Sequence, residues 1–248
     1  MITVRRDKEI HAEEGGWFSA RWHFSFGHYR DADQMGVGPL RVFNDDRLVP
    51  GAVWPMHPHT DVEGITYVVE GLFGHADSLG GGGTLEPGAI QRMTLGSGAL
   101  HSERNASQTE PMRFLQFWLL PDTAGLPPAS EQRQFTREQR TDRLLKVLGP
   151  SSEETDHGVV KVHQDAAVFV ARLSPGVVVT HDSGSRRAAY LYVLSGELAL
   201  GDEVLQTGDA AKLYEEQSIE LQALDTTELI LVDVTLDWAP VGVWAGSR

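Results

Sequence analysis

The stretch GAVWPMHPHTDVEG, residues 51–64, decides the reading of this chain. It places His57 and His59 either side of Pro58. In an extended strand, residues two apart face the same side, so the two imidazoles point together. Proline is tolerated in such a strand where no ladder donor is required. Further on, GALHSERN, residues 98–105, repeats the spacing with His101 and Glu103. Taken alone, a His-x-His pair fits a satisfied surface pair as well as a metal site. The second pair and the surrounding glycines favour the metal. Two neighbouring strands carrying such pairs can converge on one point. Three imidazoles and a carboxylate suit a divalent first-row metal, and they lack the thiolates of a closed structural zinc site. Four protein ligands on a six-coordinate ion leave two positions for substrate or O₂.

The rest of the chain supplies a β scaffold. GITYVVEG, MRFLQFWLL, AAVFVARL, AAYLYVLSGELAL and TELILVDVTL are short, largely alternating apolar runs bounded by turn residues, as in an all-β sandwich or barrel. LGGGG, residues 79–83, reads as a hairpin tip. Residues 121–158 are rich in Pro, Ser and charge and read as a connecting region, with a short helix near TREQRTDRLL. The halves resemble each other. GITYVVEGLFGH precedes LEPGAIQRM in the first, and AAYLYVLSGELAL precedes LQTGDAAKL in the second, a pattern that implies duplication of one barrel unit. The expected layout is a metal-binding barrel over 1–125, a linker over 126–158 and a second barrel over 159–248.

Composition removes several classes of function. The 248 residues are 41% apolar, enough for a folded core. The net charge of −14 repels nucleic acid and anionic lipid, so neither is an expected partner. There is no cysteine, hence no disulfide, thiolate ligand or thiol nucleophile. The opening MITVRRDKEI has no apolar run behind it, and no stretch is long and apolar enough to span a membrane, so the expected compartment is the cytoplasm.

The motifs carry a family resemblance. Gly51, His57, His59 and Glu63 outline a first cupin signature; PGAIQRMTLGSGALHSERN, with Gly98, His101 and Asn105, outlines the second. The chain most closely resembles the bacterial members of the pirin family, over HFSFGHYRDADQMGVGPLRVFNDDRLVPG (23–51), MHPHTDVEGITYVVEG (56–71), and DSLG (77–80) leading to MTLGSGALHSERN (93–105). The likeness continues more thinly through EQRQF and KVHQD. It implies an all-β bicupin with one metal in the N-terminal barrel, held by His57, His59, His101 and Glu103. Iron(II) is the expected ion, with manganese, cobalt, nickel, copper or zinc as alternatives. Glu63 departs from the general cupin pattern: it comes one residue early and Gly64 fills the usual slot. Pirins share this shift and take their carboxylate from the second motif. Glu63 is therefore expected behind the ligands, orienting a histidine, and His75 is a second residue of that kind. His181 is the lone histidine where the second barrel should have its first motif, so that barrel is expected to be metal-free. His11, His157 and His163 carry no pattern. Phe26, Tyr29 and Phe43 are candidates to wall a flat substrate.

Two functions follow from the resemblance. One is a metal-dependent dioxygenase that cleaves a flavonol such as quercetin with O₂ and releases carbon monoxide, with Glu103 taking the substrate's hydroxyl proton. The other is a metal- or redox-sensing regulator that binds a protein partner. An open apolar cavity at the metal favours the enzyme; a closed site beneath a flat patch favours the binder.

Overall fold

A computed structural model describes residues 1–153 and 158–246, which puts His157 and residues 154–157 of the expected linker outside the described residues. The regular structure of the described residues is almost entirely strand, with single 3-10 turns at Asp7–Glu9, Glu138–Arg140 and Gly242–Trp244. The second of these occupies the place where a short helix was expected. Thr136 and Gln139 brace its start by exchanging backbone-to-side-chain bonds (2.8 and 3.3 Å), and the extended backbone of Thr141 (φ −78°, ψ 128°) ends it after one turn.

The chain divides into two compact units. In the N-terminal unit, one sheet orders its central strands as Ala89–Thr94, Glu63–Glu70, Met112–Leu119 and Leu40–Leu48. A second sheet runs Val53–His59, Ala99–Asn105, Phe73–Asp77 and Gly82–Leu85. The C-terminal unit repeats both orders. Its strands Ala210–Tyr214, Arg187–Ser195, Thr227–Thr235 and Ala166–Leu173 form one sheet, and Val178–Asp182, Ser218–Ala223, Glu197–Leu200 and Glu203–Gln206 the other. This is the bicupin architecture, two barrels of one design.

The chain does not change units at single points. Ile2–Arg5 pairs with Ala210–Tyr214, and Met1–Ile10 belongs to the C-terminal unit. Ala129–Gln134 pairs with Ala89–Thr94 in the N-terminal unit, whereas Leu145–Pro150 pairs with Ala166–Leu173 in the C-terminal one. Segment 126–158 thus supplies a strand to each barrel. Residues 160–164 return to the N-terminal unit, where the Lys161 carbonyl accepts from Arg92 Nε at 2.8 Å.

The glycine hairpin is shorter than the LGGGG run. Gly82 and Gly83 are already paired with Ala76 and His75, leaving the turn to 78–81. Asp77 closes it by accepting from the amides of Leu79 (2.9 Å) and Gly81 (2.8 Å).

The two barrels are filled differently. The C-terminal unit packs Ala171, Leu191, Leu198, Leu221, Leu229 and Leu231 into an apolar core cluster. The N-terminal barrel packs Leu48, Val68, Phe73, Leu85, Met112 and Phe114 into a core cluster. Along the same strands as Leu48 and Phe114, the inward positions then become Asp46, Asn44 and Gln116, and these line a cavity. Period-two alternation separates the two aspartates of FNDDRL. Asp45 forms a buried bidentate pair with Arg113 (2.7 and 2.9 Å), while Asp46 lines the cavity.

Candidate metal centre

Strand Val53–His59 lies at the edge of its sheet, which is why Pro55 and Pro58 fit without breaking a ladder. Its partner Ala99–Asn105 places His101 opposite His57. The register then slips by one: His101 to Glu103 spans two residues, against three from His57 back to Trp54. This bulge frees the Pro55 carbonyl to accept from His57 Nδ1 at 2.8 Å. Burial alternates along both strands. Met56 and Leu100 are exposed, whereas His101 and Glu103 are 4% and 5% exposed. Beyond His59 the chain is pinned by Asp61, a left-handed residue (φ 51°) whose carboxylate accepts from Gly125 N at 2.7 Å and Val243 N at 3.1 Å.

The three histidines converge. Each offers a ring nitrogen, and these nitrogens lie within 4.8 Å of one another. Ring centroids are 4.5 Å apart for His57 and His101, 4.8 Å for His57 and His59, and 5.1 Å for His59 and His101. Glu103 stands beside the trio, with Oε1 3.2 Å from His101 Nδ1. These donors fit a divalent ion. Metal binding requires neutral imidazoles, and burial, followed by the neighbouring histidines, pushes His101 down to about 2. Burial and His57 push His59 down to about 4. A carbonyl only accepts, so His57 Nδ1 carries the proton and Nε2 is left to donate electrons. His101 Nε2 is buried with no hydrogen-bond partner, the kind of orphan that calls for an ion. Burial raises Glu103 to about 8.

The trio and Glu103 form one wall of a half-enclosed cavity of about 110 Å³. Trp22, Phe26, Trp54, Phe114 and Trp118 supply the aromatic lining. Trp118 lies edge-on to His59 at 4.7 Å. Asn44, Asp46 and Gln116 give the polar stripe. Gln116 Oε1 accepts from Thr66 at 2.8 Å, but Asn44 Oδ1 and Asp46 Oδ1 are buried without partners. Burial, then Asp45 and Glu103, raise Asp46 well above the usual carboxylate range.

Other candidates fall elsewhere. Glu63 is fully buried, but its carboxylate serves His163 Nδ1 (2.8 Å) and Thr94 Oγ1 (2.9 Å), with Arg92 3.8 Å away. Among the described contacts it braces the barrel through His163 rather than through a member of the trio. His75 packs behind the site. Its centroid is 6.1 Å from His101, its Nε2 lies 3.1 Å from Met93 Sδ, and its Nδ1 lies 3.4 Å from Gln91 Nε2. Of the three aromatic candidates, Phe26 lines the cavity. Phe43 is fully buried and stacks on Phe117 at 5.6 Å, and Tyr29 stacks on His11 at 4.3 Å. In the C-terminal barrel, His181 Nε2 is engaged by Asp233 at 2.5 Å, and the residue opposite it is Ile219, where His57 faces His101.

Comparison with known proteins agrees with this architecture. The pirin family model matches residues 3–119, and the model for the quercetinase C-terminal cupin domain matches residues 151–234. A protein of Escherichia coli K12 named quercetin 2,3-dioxygenase is 34% identical over 94% of this chain and 99% of its own length. A pirin-like protein of Caulobacter vibrioides is also 34% identical, over 94% of this chain and 99% of that one. The crystal structure of the bacterial pirin YhhW from Escherichia coli in complex with nickel(II) superposes with a TM-score of 0.88 at 33% identity, covering 97% of this chain and 100% of the other. With both barrels matched and full-length relatives above 30% identity, the chain belongs to the pirin family of bicupin proteins.

Proposed function

We propose that this protein is a metal-dependent dioxygenase that opens a flavonol such as quercetin with O₂, releasing carbon monoxide and leaving a depside. The observation that carries the reading is the aromatic-walled cavity lying directly against the histidine trio. A protein that only bound partners would need no such space. His57, His59, His101 and Glu103 would hold the ion, with iron(II) the expected native metal. Its contribution when bound is to acidify a coordinated hydroxyl and to support O₂ chemistry.

The chain's own groups do the rest. Glu103 lines the cavity beside the trio, and once ionised beside a bound cation it can take the proton of the substrate's 3-hydroxyl. Asn44 and Asp46 line the cavity with polar side chains that can meet the hydroxyl groups of a polyphenol. Trp54, Phe114 and Trp118 cover the flat faces of the ring and exclude water. At about 110 Å³ the enclosed space is smaller than the roughly 300–1,000 Å³ of sites that engulf a whole ligand. A flavonol would therefore insert its reacting edge and leave its distal ring in the mouth.

The test is quercetin consumption with carbon monoxide detection, on metal-loaded protein and on His57→Ala. Metal-dependent carbon monoxide release that disappears in the variant is expected. Stoichiometric metal without O₂ uptake would sink the reading and favour a sensor.

A further inference from the structure

A second set of metal-binding side chains lies outside the cavity. His11 and Glu13 are two apart on strand His11–Glu14 and share one face. His28 reaches them from a tight turn closed by the Tyr29 amide on the Phe26 carbonyl (2.9 Å). His11 Nε2 lies 3.2 Å from Glu13 Oε2, and His28 Nε2 lies 3.2 Å from that same oxygen. All three donors fall within 4.8 Å of one another. His11 is held in place by stacking on Tyr29 (4.3 Å, 8° between planes) and by Trp22 at 5.5 Å. The Tyr29 hydroxyl is itself tied to Asp31 at 3.2 Å.

We propose that His11, Glu13 and His28 form a second divalent-metal site, of the kind that takes zinc, nickel or copper. Two imidazoles and one carboxylate select these borderline ions over magnesium or calcium, which prefer all-oxygen shells. His28 is 70% exposed at its side chain, so the remaining coordination positions face solvent. The chain's charge of −14 favours cation capture. Trp22 stands opposite His11 in the strand register and also lines the cavity, so an ion here would stiffen one wall of the first site from outside.

Metal-stripped full-length protein would be titrated with zinc(II) by calorimetry, beside His28→Asn, Glu13→Gln and the double variant His57→Ala/His101→Ala. The wild type should bind two ions. His28→Asn and Glu13→Gln should each weaken one of the two steps at least about tenfold, the low end for losing even an outer partner of a metal. The double variant should keep the step that His28→Asn loses. A single zinc per wild-type chain, or two steps unchanged in both His28→Asn and Glu13→Gln, would overturn the site and leave a plain histidine–carboxylate cluster.

Discussion

Filling the candidate metal centre should release a proton from Glu103, and the size of that release can be worked from the structure. Without an ion, burial holds this carboxyl at about 8, while His59 and His101 sit at about 4 and 2. At pH 7 those two histidines are already bare and give up nothing on coordination. Glu103 is then about nine-tenths protonated and must lose that proton to bind a cation. Replacing it by glutamine removes the proton without removing the histidines. Wild type should therefore release about 0.9 proton more than Glu103→Gln at pH 7, and only about 0.1 more at pH 9. The assay is calorimetry of the tighter nickel(II) step in two buffers of different ionisation enthalpy, which gives protons released per ion. A difference below about 0.3 at pH 7, or one that does not shrink at pH 9, would refute Glu103 as an ionised partner of the metal.

Other consequences are open to measurement. In the ion-free protein, His59, His101 and Glu103 taken together should favour the fold most near pH 6.5. Below that pH the unfolded chain protonates two histidines that the folded chain keeps neutral, and this outweighs Glu103. Above it, Glu103, protonated in the fold up to about 8, acts in the same direction as the raised Asp46, and stability falls. Denaturant midpoints at pH 5, 6.5 and 8 would check this, and a rise from 6.5 to 8 would contradict it. Asn44→Leu should raise KM for a polyhydroxylated substrate by roughly 5- to 30-fold, the value of about 1–2 kcal/mol for one hydrogen bond in a dry site, without changing metal content. An unchanged KM would remove Asn44 from recognition. Arg113→Ala should cost about 3–5 kcal/mol in chemical denaturation by stranding Asp45 in the sheet, and a loss under about 1 kcal/mol would count against the buried pair.

Much of the metal centre was legible in the chain because strands have period two. Residues 57 and 59 share a face whatever the rest of the fold does, and so do 101 and 103. The pairing of those two strands rested on motif resemblance, and the register confirms it as His101 opposite His57. The cavity's far wall was not legible. In FNDDRL, alternation says that Asp45 and Asp46 face opposite ways but not which one faces in. That was decided by Arg113, a residue on the neighbouring strand. The partner of Glu63 was not legible for a related reason. His163 comes 100 residues later on a segment that returns to the N-terminal unit, and local spacing carries no sign of that crossing. The approach of His28 to His11 and Glu13 carries no spacing signal, because a turn rather than a strand brings it there.

Two of the expected ligands ride on a strand with a neighbour on one side only. Val53–His59 borders solvent, and with two prolines it has few amides with which to hold itself down. His101 and Glu103 sit on a strand paired on both sides. An ion shared between the two strands would act as a rivet through the seam, adding cohesion where the hydrogen-bond ladder is thinnest. Loss of the ion would loosen this border first at the seam that the two strands share. Any molecule that prefers the loosened border must compete with the metal by the same factor that the metal competes with it. With the ion bound, the edge strand would be where gain or loss of metal is felt mechanically.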